Sequence, residues 1–195
     1  VLFVGSSSIR RWHPTLADDF PERQVIGRGF GGSNMKLLNH YFHDIVAPYK
    51  PAVVVVYEGD NDLYWGGRAK DRDGRFDRFL GLMAEHLPDA RVVFISVKPS
   101  RARWQHWPEV RKLNAHLDRL ASDHEHVWYA DVTSPMLKAS NGQPPEPDPR
   151  YLSKDGHHLS DAGYDLWQRV VDEALAKIEA GEAETASTAA SEDRE

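Results

Sequence analysis

Short apolar segments alternate with helix-length amphipathic segments along most of this chain, and this alternation constrains the fold more than any other feature. Five short segments are rich in β-branched and aromatic residues, so we predict strands at Val1–Val4, Gln24–Ile26, Val53–Tyr57, Arg91–Ile95 and Val127–Tyr129. Strands that are apolar throughout and separated by helices are typical of a parallel sheet covered on both faces. We therefore predict an α/β protein with about five strands.

Amphipathic periodicity predicts helices between these strands. Apolar residues recur at helical spacing in three internal segments, which run from Leu37 to Ile45, Phe76 to Met83 and Val110 to Leu120. A last helix is predicted after Ser160, which is placed as its N-cap, with an apolar stripe from Leu166 to Ile178. The proline-rich segment 144–149 is predicted to be an extended loop, because proline is excluded from helix and sheet interiors.

The chain length and the uneven distribution of charge indicate one domain followed by a tail. A chain of 195 residues is long enough for one packed core and short for two domains. We predict a single domain over residues 1–179 and a disordered acidic tail over residues 180–195, which contain no large apolar side chain. Residues 177–195 include six acids and two bases, which account for most of the net charge of -6. The remaining body has no strong charge, so we expect no binding to nucleic acid.

Two further features concern the cellular compartment. The chain has no cysteine, which excludes disulfides and thiolate metal sites. Its longest apolar run, Ala52–Tyr57, falls far short of the roughly 20 residues that span a bilayer, so we expect a soluble protein with no membrane span. Because the sequence starts at Val1 and not at methionine, we expect that preceding residues have been removed or omitted, and both a bacterial cytoplasmic and an exported location stay open.

Small hydroxyl residues follow the first predicted strand, in the sequence Gly5-Ser6-Ser7-Ser8. In parallel sheets ligands bind beyond the carboxyl ends of the strands. A serine at the start of a helix in this position has backbone N–H groups nearby that stabilise developing negative charge. The alternative is that the three serines are only turn and N-cap residues.

A glycine-rich segment, Gly27–Asn34, follows the second strand. Residues 27–32 fit the pattern G-x-G-x-x-G, and Glu58 at the end of the next strand could then bind a ribose, as in a dinucleotide-binding module. Against this, the dinucleotide pattern belongs after the first strand of its unit, and Glu58 lies further along the chain than usual. The same glycines could instead bring the backbone N–H of Gly32 close to a substrate oxygen.

Polar residues also follow the third strand, in the sequence Glu58-Gly59-Asp60-Asn61-Asp62. Asp and Asn often satisfy their own local backbone, so a capped turn is one interpretation and a cation site is another. Asn61 is the uncharged member, and a neutral amide donor is what an oxyanion requires.

The sequence Asp155-Gly156-His157-His158 precedes the last helix. An aspartate three positions before a histidine can hold one ring nitrogen while the other faces outward, which prepares His158 to accept a proton. The alternatives are a structural hydrogen-bond network at the helix start, and a metal-dependent hydrolase that uses Asp60, Asp62, His157 and His158. We predict His157 to be a surface residue.

Taken in order, these four segments resemble the four blocks of the GDSL/SGNH hydrolase superfamily. Gly59-Asp60-Asn61-Asp62 is similar to the family's G-x-N-D block, and Asp155 to His158 is similar to its D-x-x-H block. The first block departs from the family pattern, because Ser6 stands where the family has aspartate. Two further stretches, Val4–Trp12 and Ser96–Trp104, resemble a bacterial subgroup compared with the catalytic subunits of platelet-activating-factor acetylhydrolase.

The resemblance implies a serine esterase with a three-layer, flavodoxin-like α/β/α fold and the strand order 2-1-3-4-5. Ser7 would be the nucleophile, His158 the general base, and Asp155 the residue that orients it. The backbone N–H groups of Ser7 and Gly32 and the side chain of Asn61 would form the oxyanion hole. The subgroup implies small ester substrates with short, acetyl-like acyl groups. Neither a metal nor an organic cofactor is needed for this chemistry.

Overall fold

The protein is described by a computed structural model over residues 1–65, 69–140 and 143–192. Within these ranges, parallel strands form a central sheet in the order β2-β1-β3-β4-β5. Its strands are β1 (Leu2–Gly5), β2 (Ile26–Gly27), β3 (Val53–Tyr57), β4 (Arg91–Ile95) and β5 (Val127–Ala130). The predicted α/β class and the strand order implied by the resemblance are both confirmed.

Helices cover both faces of the sheet. They are α1 (Ser7–Trp12), α2 (Leu16–Asp19), α3 (Met35–His40), α4 (Phe42–Ile45), α5 (Asp60–Tyr64), α6 (Ala69–His86), α7 (Trp107–Asp123) and α8 (Asp161–Glu192). Short 3-10 helices occur at Ala47–Tyr49, Arg101–His106, Ser134–Met136 and Pro149–Tyr151. Of the helices in the described ranges, none is both long and apolar enough to cross a membrane.

A hydrophobic cluster packs against each face of the sheet. Val54 and Val56 of β3 point into the cluster that contains residues of α3, α4, α6 and α7, whereas Val55 and Tyr57 point into the cluster that contains residues of α1, α2 and α8. Successive side chains of a strand face opposite sides of the sheet, so a strand buried on both faces is apolar at every position. This explains why the strands were recognisable in the sequence.

Two segments differ from the local prediction in detail. The apolar periodicity from Leu37 to Ile45 predicted one helix, but the helix is interrupted at Tyr41, whose φ of -94° and ψ of 15° depart from helical values. The prediction of an extended loop at 144–149 was also wrong in part. Strand β7 (Gln143–Pro147) pairs antiparallel with β6 (Leu137–Ser140), and prolines are tolerated because both strands of a two-stranded ribbon are edges.

The last helix is longer than predicted. It starts directly after Ser160, whose Oγ accepts from Gly163 N at 3.2 Å, as expected of an N-cap. It then continues to Glu192, through most of the segment that we expected to be disordered. Alanine and glutamate have high helix propensity, which favours helix over a coil even without apolar residues to bury. The division into a domain and a dispensable tail at residue 180 stays a prediction, and residues 193–195 lie outside the described part.

Candidate active site

Ser7 is the first residue of α1 and lies just beyond the carboxyl end of β1. Gly5 has a φ of +142°, and a Cβ there would lie 2.1 Å from the carbonyl oxygen of Tyr57, so this close passage of β1 along β3 requires glycine. Ser6 and Ser8 are fully buried, whereas Ser7 remains partly exposed. Of the serines in this turn, Ser7 is therefore the one that a substrate can reach.

The structure brings Ser7, His158 and Asp155 into one hydrogen-bonded chain. The Oγ atom of Ser7 lies 3.0 Å from Nε2 of His158, and Nδ1 of His158 lies 2.6 Å from Oδ2 of Asp155. An ionised carboxylate can only accept, so Nδ1–H donates to Asp155 and Nε2 is left to accept the proton of the serine hydroxyl. This is the tautomer that a general base requires.

The loop itself holds Asp155 in the ionised form. Its Oδ1 accepts from the backbone N–H groups of His157 and His158, each at 2.9 Å, and from Ser153 Oγ at 2.7 Å. Burial acts to raise the pKa of Asp155, but these hydrogen bonds and the one from the His158 ring hold the pKa far below its usual range. The carboxylate is therefore charged throughout the neutral pH range.

The glycine-rich segment crosses beside α1 and is fixed by backbone contacts. Gly29 N donates to Nε2 of His13 at 3.1 Å, and Phe30 N donates to the carbonyl oxygen of Gly5 at 2.9 Å. Gly32 has a φ of +79°, and a Cβ there would meet no atom within 4 Å. The left-handed backbone, and not crowding, is therefore what favours glycine at this position.

The contacts of Glu58 disagree with a dinucleotide site. The side chain of Glu58 is buried, and its Oε1 accepts from Ser33 Oγ at 2.6 Å. Burial raises the pKa of the Glu58 carboxyl well above its usual range. Because Glu58 points into the protein interior, it cannot reach a ribose hydroxyl. The glycine-rich turn therefore lacks the ribose-binding acid that nucleotide binding would need.

Asn61 is buried at the start of α5, and both ends of its amide are oriented. Its Nδ2 donates to the carbonyl oxygen of Ser33 at 2.8 Å, and its Oδ1 accepts from Nη1 of Arg103 at 3.1 Å. Arginine has no acceptor, so the amide oxygen must face Arg103. Ser33 uses one of the two N–H bonds of Nδ2, and the second has no hydrogen-bond partner among the residues that the structure describes.

The two acids that flank Asn61 have separate partners. Asp62 accepts from Met35 N and from Nη1 of Arg75, each at 3.0 Å, and Asp60 pairs with Lys98. Among the residues that the structure describes, no group of three or more histidines and acids is arranged to hold a metal ion. Of the set that we considered for a metal-dependent hydrolase, Asp60 lies near His157, whereas Asp62 pairs with Arg75 and His158 with Asp155.

His157 is buried, and the prediction of a surface position was wrong. Gly156, with a φ of +67°, turns the chain so that His158 faces Ser7 while His157 faces the protein interior. Its Nδ1 lies 3.1 Å from Ser100 Oγ, and its Nε2 lies 3.6 Å from Oδ2 of Asp60. No local pattern in the sequence indicates that Lys98 is buried or that Arg103 contacts Asn61.

Comparisons with known proteins support the family and the fold. The model of the GDSL-like lipase/acylhydrolase family matches residues 4–166. An acylhydrolase candidate from Bacteroides fragilis is 26% identical, with a TM-score of 0.77 over 91% of this chain and 86% of that chain. No curated protein sequence matches the chain.

Two more distant structures share the fold. A candidate platelet activating factor protein from Streptococcus pneumoniae is 20% identical, with a TM-score of 0.77 over 89% of this chain and 82% of that chain. An acetyl xylan esterase is 17% identical, with a TM-score of 0.70 over 90% of this chain and 100% of that chain.

Proposed function

Since the chain belongs to the GDSL-like lipase/acylhydrolase family, whose members act on ester bonds, we propose that it is a serine esterase that cleaves carboxylic esters of short, acetyl-like acyl groups. The observation that carries this proposal is the chain of contacts from Ser7 through His158 to Asp155, with distances of 3.0 and 2.6 Å. Nucleophile, base and orienting acid stand in the order that acyl transfer through a covalent intermediate requires.

In the first half of the reaction, Ser7 Oγ attacks the ester carbonyl carbon while Nε2 of His158 takes its proton. The imidazolium that forms is stabilised by Asp155, and His158 then gives the proton to the departing alcohol oxygen. In the second half, His158 takes a proton from water, and the hydroxide equivalent attacks the acyl-Ser7 ester. The carboxylic acid leaves and Ser7 recovers its proton, so no other reactant is consumed.

The negative oxygen of each tetrahedral intermediate needs donors. We assign this role to the backbone N–H groups of Ser7 and Gly32 and to the N–H of Asn61 Nδ2 that does not donate to Ser33. The placement of Asn61 supports the assignment, because its amide is buried, oriented by Arg103 and tied to the backbone of Ser33, next to Gly32. Donors that are fixed before the reaction stabilise developing charge without a reorganisation cost.

The proposal of a short acyl group rests on the relatives. The acetyl xylan esterase and the candidate platelet activating factor protein have the same fold. The name of the first describes a reaction on acetyl esters. The resemblance of Val4–Trp12 and Ser96–Trp104 to the platelet-activating-factor acetylhydrolase subgroup supports the same choice.

Turnover of p-nitrophenyl esters of increasing acyl length tests this function. We expect the highest kcat/KM for acetate or propionate, loss of turnover in Ser7→Ala, and retained turnover in Ser8→Ala, a matched change at a buried neighbour. Treatment with EDTA should leave the rate unchanged, whereas a loss would favour the metal-dependent alternative. Equal turnover by Ser7→Ala and wild type would contradict the proposal.

A further inference from the structure

Buried ionisable side chains lie against the loop that carries Asp155 and His158. Lys98 is fully buried, and its Nζ donates to Tyr57 Oη at 3.0 Å and to Asp60 Oδ2 at 3.3 Å. Tyr57 Oη also donates to this carboxylate oxygen at 3.3 Å. Lysine and aspartate are rarely buried unless they are paired, because an unpaired charge loses its hydration. Each of these two residues therefore depends on the other.

His157 joins the same cluster from the catalytic loop. Its Nδ1 lies against the Ser100 hydroxyl and its Nε2 against Asp60, at the distances given above. A doubly protonated His157 would find an acceptor for each of its N–H groups, in the hydroxyl and in the carboxylate. Lys98 and His157 are consequently two alternative partners for the negative charge of Asp60.

Several parts of the fold bring charged or titratable groups against His157. They are Asp60 in α5, Lys98 and Arg103 after β4, and Asp155 and His158 in its own loop. Burial has the largest effect on the pKa of His157, and the charge of Lys98 has the second largest. Together they lower this pKa to about 3, although the charge of Asp60 acts to raise it. Burial acts to raise the pKa of Asp60, but the charges of Lys98, His157 and Arg103 and the hydrogen bond from Lys98 together lower that pKa. At neutral pH Asp60 is therefore ionised and His157 uncharged.

The charge on His157 matters because its ring centroid lies only 4.8 Å from that of His158. A positive His157 would repel the imidazolium that forms on His158 when it takes the proton of Ser7. We propose that Lys98 is a positioning residue, which satisfies Asp60 and so keeps His157 uncharged beside the catalytic histidine. This inference rests on the proposed role of His158 as general base.

NMR titration of protein that carries ¹³C-labelled histidine measures the charge on His157 without any turnover. The His157 resonance, assigned by its loss in His157→Gln, should remain that of a neutral imidazole from about pH 5 to about pH 9. In Lys98→Met the same resonance should titrate within this range, because Asp60 then draws a proton onto His157. A wild-type His157 that titrates near the ordinary value of about 6.5 would overturn the inference, whatever the esterase assays give.

The pH dependence of kcat tests the consequence for catalysis. Lys98→Met should show an additional ionisation, with kcat roughly tenfold or more lower where His157 is protonated and recovering where it is not. The double variant Lys98→Met/His157→Gln should lack this ionisation. A pH profile of Lys98→Met that matches wild type would contradict the inference.

A buried methionine that leaves Asp60 unpaired could prevent folding, which circular dichroism would reveal. The variant Asp60→Asn/Lys98→Met removes both charges together and avoids this difficulty. The amide that replaces the Asp60 carboxylate has no charge and does not favour protonation of His157. His157 should therefore stay neutral in this variant. A His157 that titrates there would overturn the inference, since the charge of Asp60 is its stated cause.

Discussion

Arg103 holds the amide of Asn61 from outside α5, through a hydrogen bond of 3.1 Å from Nη1 to Oδ1. The same Nη1 donates to the carbonyl oxygen of Asp60 at 3.1 Å, and the guanidinium carbon lies 4.3 Å from the centre of the Tyr64 ring. Arg103 thus connects the segment after β4 to the turn after β3. It fixes the orientation of the Asn61 amide, with Oδ1 toward Arg103 and Nδ2 toward Ser33.

Replacing this arginine should impair turnover without direct contact to the reacting atoms. In Arg103→Met the amide of Asn61 loses the partner that orients it, so we expect kcat to fall roughly tenfold with a smaller change in KM. Arg111→Met, on the exposed side of α7, is the matched control and should behave as wild type. A rise in KM with an unchanged kcat would indicate that Arg103 contacts the substrate instead.

Asn61→Ala removes the proposed oxyanion donor. Loss of one such donor in other serine hydrolases lowers kcat by about 10²–10³, and we expect a fall in this range with little change in KM. Asn61→Asp should be at least as harmful, since a carboxylate repels the oxyanion. Asn39→Ala, which also removes a partly buried amide, serves as control.

The competing view of Asn61 makes it a structural residue of the turn. In that case Asn61→Ala would cost about 0.5–2 kcal/mol of stability and leave the turnover of folded protein intact. Steady-state kinetics and thermal melting of the same preparations separate the two. Full turnover in a folded Asn61→Ala protein would exclude the oxyanion role.

The hydrogen bonds of Asp155 predict a specific pH dependence of stability. The pKa of this group is depressed in the folded protein, so it contributes stability above its unfolded pKa of about 3.9, which is lost as the pH falls. Asp155→Asn should therefore be less stable than wild type near neutral pH, with a difference that shrinks in acid. Denaturant unfolding at about pH 7 and about pH 3 measures this. Asp118→Asn, at an exposed site on α7, should follow wild type, and a pH-independent difference for Asp155→Asn would contradict the argument.

Truncation tests whether the end of α8 contributes to the domain. Ile178 is buried in the core, and Glu179 makes a two-pronged ion pair with Arg23 at 2.7 and 3.0 Å, so the boundary should lie after these residues. Removal of residues 180–195 should leave melting temperature and turnover nearly unchanged. Removal of residues 177–195 also deletes Ile178 and should cost roughly 2–5 kcal/mol. Equal losses from both truncations would show that the last segment docks on the body.

Much of the fold could be predicted because burial on both faces leaves a strong local signal. Val53–Tyr57 and Arg91–Ile95 were predicted with their observed bounds, since every residue of these strands except Arg91 faces one of the two cores. The segments that contain Ser7 and His158 were singled out because their residue types and spacings resemble blocks of the family to which the chain belongs.

The remainder depended on contacts between distant segments. The burial of Lys98 requires Asp60, which lies 38 positions away, and His157 is buried against Ser100 and Asp60. Likewise, the strand at Gln143–Pro147 exists because β6 pairs with it, not because its own residues favour extended pairing. Propensity and periodicity describe a segment by itself, so such pairs cannot be recognised from either partner alone.

Mass spectrometry after covalent labelling tests the identity of the nucleophile most directly. A p-nitrophenyl phosphonate should react once, and trypsin should then release residues 1–10, a peptide that contains Ser6, Ser7 and Ser8 together. Fragment ions of this peptide should place the adduct on Ser7, and labelling should disappear in Ser7→Ala and be strongly slowed in His158→Ala. An adduct on Ser6 or Ser8, or undiminished labelling of Ser7→Ala, would contradict the account.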